Sequence, residues 1–132
     1  MILTVTAFYA GLMGLWVLVL SFEVMRRRRR HDVPLGTGGV PELERAVRAH
    51  GNATEYVPLS LILLGLAEGL GTSAWVLHLF GLMLLAGRVL HGGHFILGER
   101  WEQARSIGML LTVSGIGALS VGLIIHSLIW MF

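Results

Sequence analysis

Wound as a helix at about 100° per residue, Arg48, Asn52 and Glu55 fall within roughly 60° of one another, with Arg45 and Tyr56 flanking the arc. Glu55 stands about 10 Å further along the axis than Arg48. Such a set can hold a zwitterion. The planar donor fork of arginine suits a carboxylate, glutamate suits an ammonium group, and asparagine both donates and accepts. The same arc can serve as an ion-pair network between packed helices. Its position sharpens the question, because it runs straight into an apolar stretch. An ionisable side chain inside a bilayer costs about 2.5–3.5 kcal/mol on insertion scales.

Other polar residues punctuate the apolar sequence. Arg88, His91 and Phe95 share a helical face, and His94 lies off it. Arg88 is expected to pair with a carboxylate such as Glu55, since an unpaired guanidinium at that depth is costly. His91 reads either as a packing residue or as a ligand contact. His91-Gly-Gly-His94 has a spacing found in metal sites, but only Glu99 and Glu102 lie near enough in sequence to extend it, and no metal is expected. Arg105-Ser106 opens the last apolar stretch. Arg105 is either an anchor at the membrane edge or a charge beside an incoming ligand, where it would stabilise a thiolate. The run Arg26–Arg30 reads as an anchor that sets orientation, with one or two members able to reach a bound anion. His78 and His126 sit in apolar surroundings and read as packing or interface residues.

The elements that must position these residues are helical. The chain has 132 residues, 55% of them hydrophobic, and a mean hydropathy of +0.74. That composition fits an all-α integral membrane protein of one domain and not a soluble one. Four helices are predicted over about residues 2–25, 41–70, 73–97 and 102–131, each long enough to cross a hydrocarbon core of about 30 Å. Pro41 suits a first turn, and Pro58 is expected to kink the second helix or remove one hydrogen bond. Asp32 to Val40 is a Gly/Pro loop, and Gly69 to Thr72 a tight turn. Gly65, Gly69, Gly108, Gly115, Gly117 and Gly122 are expected to serve helix packing.

All ten basic residues are arginine. They flank the first and third connections, so residues 26–41 and 98–105 are predicted to be cytoplasmic and both termini non-cytoplasmic. They read as topology signals, and no nucleic-acid partner is expected. No charge precedes the first apolar run, which reads as a retained helix and not a cleaved signal. Without cysteine the chain has no thiolate of its own, so thiol chemistry would need a thiol carried in by a substrate.

The segment from Glu44 to Leu59, Glu-Arg-Ala-Val-Arg-Ala-His-Gly-Asn-Ala-Thr-Glu-Tyr-Val-Pro-Leu, closely resembles the signature of the MAPEG superfamily, the membrane-associated proteins of eicosanoid and glutathione metabolism. Arg88-x-x-His91 and Arg105-Ser106 extend the resemblance over nearly the whole chain. It implies a four-helix bundle that assembles as a homotrimer in the bilayer, with glutathione as co-substrate between subunits. Carried over, Arg48, Asn52, Glu55, Tyr56 and His91 would contact glutathione. Arg105 would act as the catalytic residue that holds the sulfur, with Ser106 beside it. Arg27 or Arg28 of a neighbouring subunit would add a contact. The implied chemistry is stabilisation of the glutathione thiolate for attack on an apolar electrophile or hydroperoxide arriving from the lipid.

The chain departs from the family pattern at Phe95, where members often carry tyrosine, and at Gly51, where some carry a polar side chain. It looks most like the compact bacterial members, which implies a bacterial inner membrane. Two other functions fit the residues. One is a non-catalytic binder of glutathione or lipid with the same fold. The other is a small four-helix transporter, which would have to use Glu55 or Glu68 as its membrane carboxylate.

Overall fold

The computed structural model describes residues 2–97 and 102–132. Four helices run in order: α1 (Thr4–His31), α2 (Pro41–Gly69), α3 (Ala74–Leu97) and α4 (Glu102–Met131). The predicted connection after Gly98, and Glu99 within it, falls outside the described residues.

α1 does not stop near Met25 as predicted. It continues through all five arginines to His31. Arginine is a good helix former, and positive charge in the last turn opposes the negative end of the helix dipole. The helix stops where Asp32 turns left-handed at φ 53°. There the Asp32 N–H bonds the Arg28 carbonyl, and the Val33 N–H reaches the same oxygen at 3.0 Å, a closure typical of helix ends. The loop that follows has Gly38 at positive φ against Val33, where a side chain would clash.

α2 opens on Pro41, with Glu42 and Glu44 in its first turn, both favourable there. It runs unbroken through Pro58, whose ring removes one backbone donor without ending the helix.

The short turn between α2 and α3 makes those helices antiparallel. α1 packs on α2 and α3, and α4 packs on α3 and α2. Among the described residues α1 and α4 make no close approach. The α2–α3 pair is therefore a shared wall with one helix on either side. Met13, Leu64, Leu77 and Leu84 fill the main core, and Leu20, Ala49 and Ala53 fill a smaller one nearer the arginines. α3 and α4 cross where Gly87 meets Gly108, so closely that a methyl on Gly108 would stand 2.6 Å from the Gly87 carbonyl. Gly81 makes room for the Tyr9 ring in the same way. Gly117 and Gly122 face open space instead, so within this chain they do no packing.

At the far end, Glu68 reaches back to the start of α1. Its carboxylate accepts from the backbone N–H groups of Val5 at 2.9 Å and Thr6 at 2.7 Å. The first N–H groups of a helix have no internal partner, and a carboxylate satisfies them while meeting the positive end of the dipole. Glu68 is thus a cap delivered from another helix.

α1, α3 and α4 are each long and apolar enough to cross a membrane by length and composition. α2 is the exception because its first half is polar. Exposed Trp75 and Trp130 sit at the end of the bundle remote from the arginines, as aromatic residues do at a membrane surface. The architecture is an all-α four-helix membrane bundle.

Candidate functional site

The end of the bundle that gathers the C-terminus of α1, the start of α2, the last third of α3 and the start of α4 is polar. Arg27 ties it together. Its guanidinium is buried and donates to the carbonyls of Glu42 at 2.6 Å and Ile96 at 3.2 Å, with Glu23 at 3.4 Å. One side chain thereby joins α1, α2 and α3. Arg28 donates to the Gly36 carbonyl at 2.8 Å and closes the loop after α1. Arg29 and Arg30 are exposed. Glu42 also contacts His31, and that hydrogen bond holds its carboxyl below the usual carboxylate range.

Deeper in, Arg88 is only 2% exposed. Its Nε donates to the Thr112 hydroxyl at 2.9 Å, and Nη1 donates to Asn52 Oδ1. Nη2 faces the Met109 sulfur at 3.7 Å. The guanidinium carbon stands 4.9 Å from the centre of the Tyr56 ring, within the range of a cation–π contact. The Thr112 hydroxyl in turn donates a hydrogen bond to the Gly108 carbonyl at 2.9 Å. One cation therefore joins α2, α3 and α4.

This corrects the expected pairing of Arg88 with Glu55. The partners found for Arg88 are neutral, and Glu55 is exposed on the outer face of α2. The reason is geometric. Asn52 and Tyr56 lie on the side of α2 that meets α3, and the arc as a whole straddles the edge of that contact. Its other members, Arg48 and Glu55, point outward. Among the described residues no ion pair involves either of them.

His91 lies one turn beyond Arg88. Its Nδ1 lies 3.2 Å from the Arg105 carbonyl, and since a carbonyl only accepts, that nitrogen carries the proton. The contact holds α3 against the first turns of α4. Phe95 meets the His91 ring edge-on at 5.4 Å between centroids. The Arg105 and Ser106 side chains are exposed, and with Gln103 and Ile107 they line an open concavity.

The structure thus joins Asn52 and Tyr56 to Arg88 and Thr112, and separately holds His91 to the Arg105 backbone carbonyl. It leaves Arg48, Glu55 and Ser106 presented outward, and it places Arg27 and Arg28 in contacts within their own chain. Arg88 as the hub, and Thr112 as its partner, went unread in the sequence as parts of the site. The available signal was an arginine in an otherwise apolar helix, which must find partners somewhere. No group of three metal-binding side chains lies together among the described residues. An apolar cavity of about 180 Å³ at the other end of the bundle, beside Phe80 and His126, lies far from these residues.

A four-helix membrane bundle with a cationic, hydrogen-bonded site at one end is the class that fold and site define. The sequence pattern of the MAPEG family matches residues 6–125, and the chain belongs to that family. Inner membrane protein YecN of Escherichia coli strain K12 is 42% identical over 102 residues, which is 76% of this chain and 77% of that protein. Leukotriene C4 synthase of Cavia porcellus is 33% identical over 106 residues, 76% of this chain and 71% of the synthase. The enzyme of the same name from Bos taurus is 30% identical over 106 residues.

Proposed function

We propose that this protein binds glutathione in the bilayer of a bacterial inner membrane, at sites between the subunits of a homotrimer. The observation that carries the reading is the outward presentation of Arg48 and Glu55 beside the half-buried Asn52 and Tyr56. Ionisable groups on the outer face of a membrane helix are costly against lipid. A neighbouring subunit together with a zwitterionic ligand removes that cost. Arg48 then holds a carboxylate, Glu55 the ammonium group, and His91 and Ser106 line the way to the sulfur. Arg27 and Arg28 belong at the margin of this site, since both already hold their own chain together. The likeness to YecN, an inner membrane protein by name, supports the location.

A second reading adds catalysis, and Arg105 favours it. Its exposed guanidinium stands in the first turns of α4, where the helix dipole adds positive potential. The glutathione thiol would lose its proton to water, and the thiolate held by Arg105 would form a bond from sulfur to the electrophilic carbon of an apolar substrate. The displaced group, or the carbanion after protonation, would complete the transfer. The likeness to leukotriene C4 synthases supports this reading.

One experiment separates the two. Purified protein in detergent is titrated with glutathione by calorimetry, while thiolate is followed by its ultraviolet absorbance, with Arg105→Ala in parallel. Binding with a thiolate band that the variant loses establishes activation. Binding without the band establishes a binder only, and absence of binding ends the glutathione assignment.

A further inference from the structure

Arg88 lies deep in the bundle, and its roles so far are structural. Its contact with Asn52 has a further consequence for the site. A guanidinium has only donors, so the side-chain atom of Asn52 that meets Arg88 Nη1 must be the amide oxygen. The assignment of oxygen and nitrogen in this carboxamide is therefore fixed by chemistry. With the oxygen turned inward, the NH2 group is turned away from Arg88. Asn52 is half-buried, and its amide nitrogen donates to no group among the described residues. The carboxamide cannot flip without setting its own donors against those of the guanidinium. Arg88 cannot swing away either, because Thr112 holds its Nε at 2.9 Å and the Tyr56 ring lies against its face.

We infer that Arg88 is a positioning residue: it grips the Asn52 carboxamide by its oxygen and so presents the amide nitrogen outward, as a donor to an oxygen of the bound ligand. Asn52, able in principle to donate or accept, is thereby made a donor alone. It selects a carboxylate or amide carbonyl oxygen of the tripeptide over its ammonium or amide N–H groups. The same guanidinium finds neutral partners here, so its positive charge adds to the potential that draws an anionic ligand. The inference rests on the glutathione reading and names what one residue of that site recognises.

The decisive variant is Asn52→Asp. A carboxylate in place of the carboxamide forms an ion pair with Arg88, so the protein melts no lower than wild type. It also replaces the outward donor with an acceptor, so glutathione binding measured by calorimetry weakens about tenfold or more. Stability and affinity then move apart, which a purely structural role for Asn52 does not produce. Arg88→Met, judged first by elution as a single oligomer in detergent, frees the carboxamide and weakens binding as well. If that variant fails to fold, Asn52→Asp alone decides. Wild-type protein that binds glutathione while Asn52→Asp binds it equally well overturns the positioning role and leaves the function standing. An Asn52→Asp protein that loses stability and affinity together also overturns it. Wild-type protein that does not bind glutathione at all overturns the function and this inference with it.

Discussion

Replacing Gly108 with alanine tests whether the crossing of α3 and α4 sets the geometry of the site. The added methyl would stand 2.6 Å from both the Gly87 carbonyl oxygen and the His91 backbone nitrogen, where ordinary contact begins at 3.4 Å. Both are backbone atoms of α3, so no side chain can rotate to relieve the clash. The helices must separate by about 0.8 Å at this point, and overpacking of this kind costs about 1–3 kcal/mol. The displacement falls at a sensitive place. Thr112 donates to the Gly108 carbonyl and supports Arg88, while His91 holds the Arg105 carbonyl. Gly108→Ala is therefore expected to lower the melting temperature in detergent by several degrees and to weaken glutathione binding. Gly117→Ala is the matched control, because its methyl meets no atom of the chain. That variant should hold or slightly raise stability, as alanine is the better helix former. Gly108→Ala melting with Gly117→Ala, and binding glutathione like wild type, would refute the close approach and the coupling argued from it.

Three further outcomes are expected. Arg105→Ala should keep the fold, because its exposed side chain supports no packing, yet lose any glutathione thiolate band; an undiminished band in the variant would remove Arg105 from the chemistry. Glu68→Ala should destabilise the bundle by about 1–3 kcal/mol through two unsatisfied N–H groups at the start of α1, seen as faster amide hydrogen exchange confined to that first turn, and exchange unchanged there would contradict the cap. The Glu42 carboxyl, held below its ordinary value of 4.5 mainly by the His31 hydrogen bond, is depressed in the folded protein. Its contribution is therefore present above pH 4.5 and lost as pH falls through the lower folded value. Thermal melts from pH 7 to 3 should show this acid loss in wild type and a smaller one in Glu42→Gln, and identical profiles would dismiss the pairing.

Much of this molecule is local and was legible in the residues alone. Long apolar runs, Pro41 at a helix start and the Gly/Pro loop after the arginines set four helices in a membrane, because hydropathy and turn chemistry act over neighbouring residues. The polar arc of Arg48, Asn52 and Glu55 was visible for the same reason, as helical spacing is a property of one segment. Its division was not. Whether an edge residue faces a neighbouring helix or open space depends on how α2 is rotated against α3, and that is decided by packing at positions such as Ala49, Ala53 and Val57. So Asn52 meets Arg88, 36 residues away, while Glu55, offered by the sequence as the obvious counter-charge, looks outward. Glu68 illustrates the same limit. As a lone carboxylate near the end of an apolar stretch it invited a transport role, and only the return of α2 to the start of α1 shows that it caps a helix 62 residues away. The sequence by itself determined the helices, their setting in the bilayer and the stock of polar groups, whereas tertiary packing alone decided which of those groups are spent on the fold and which are left to meet a ligand.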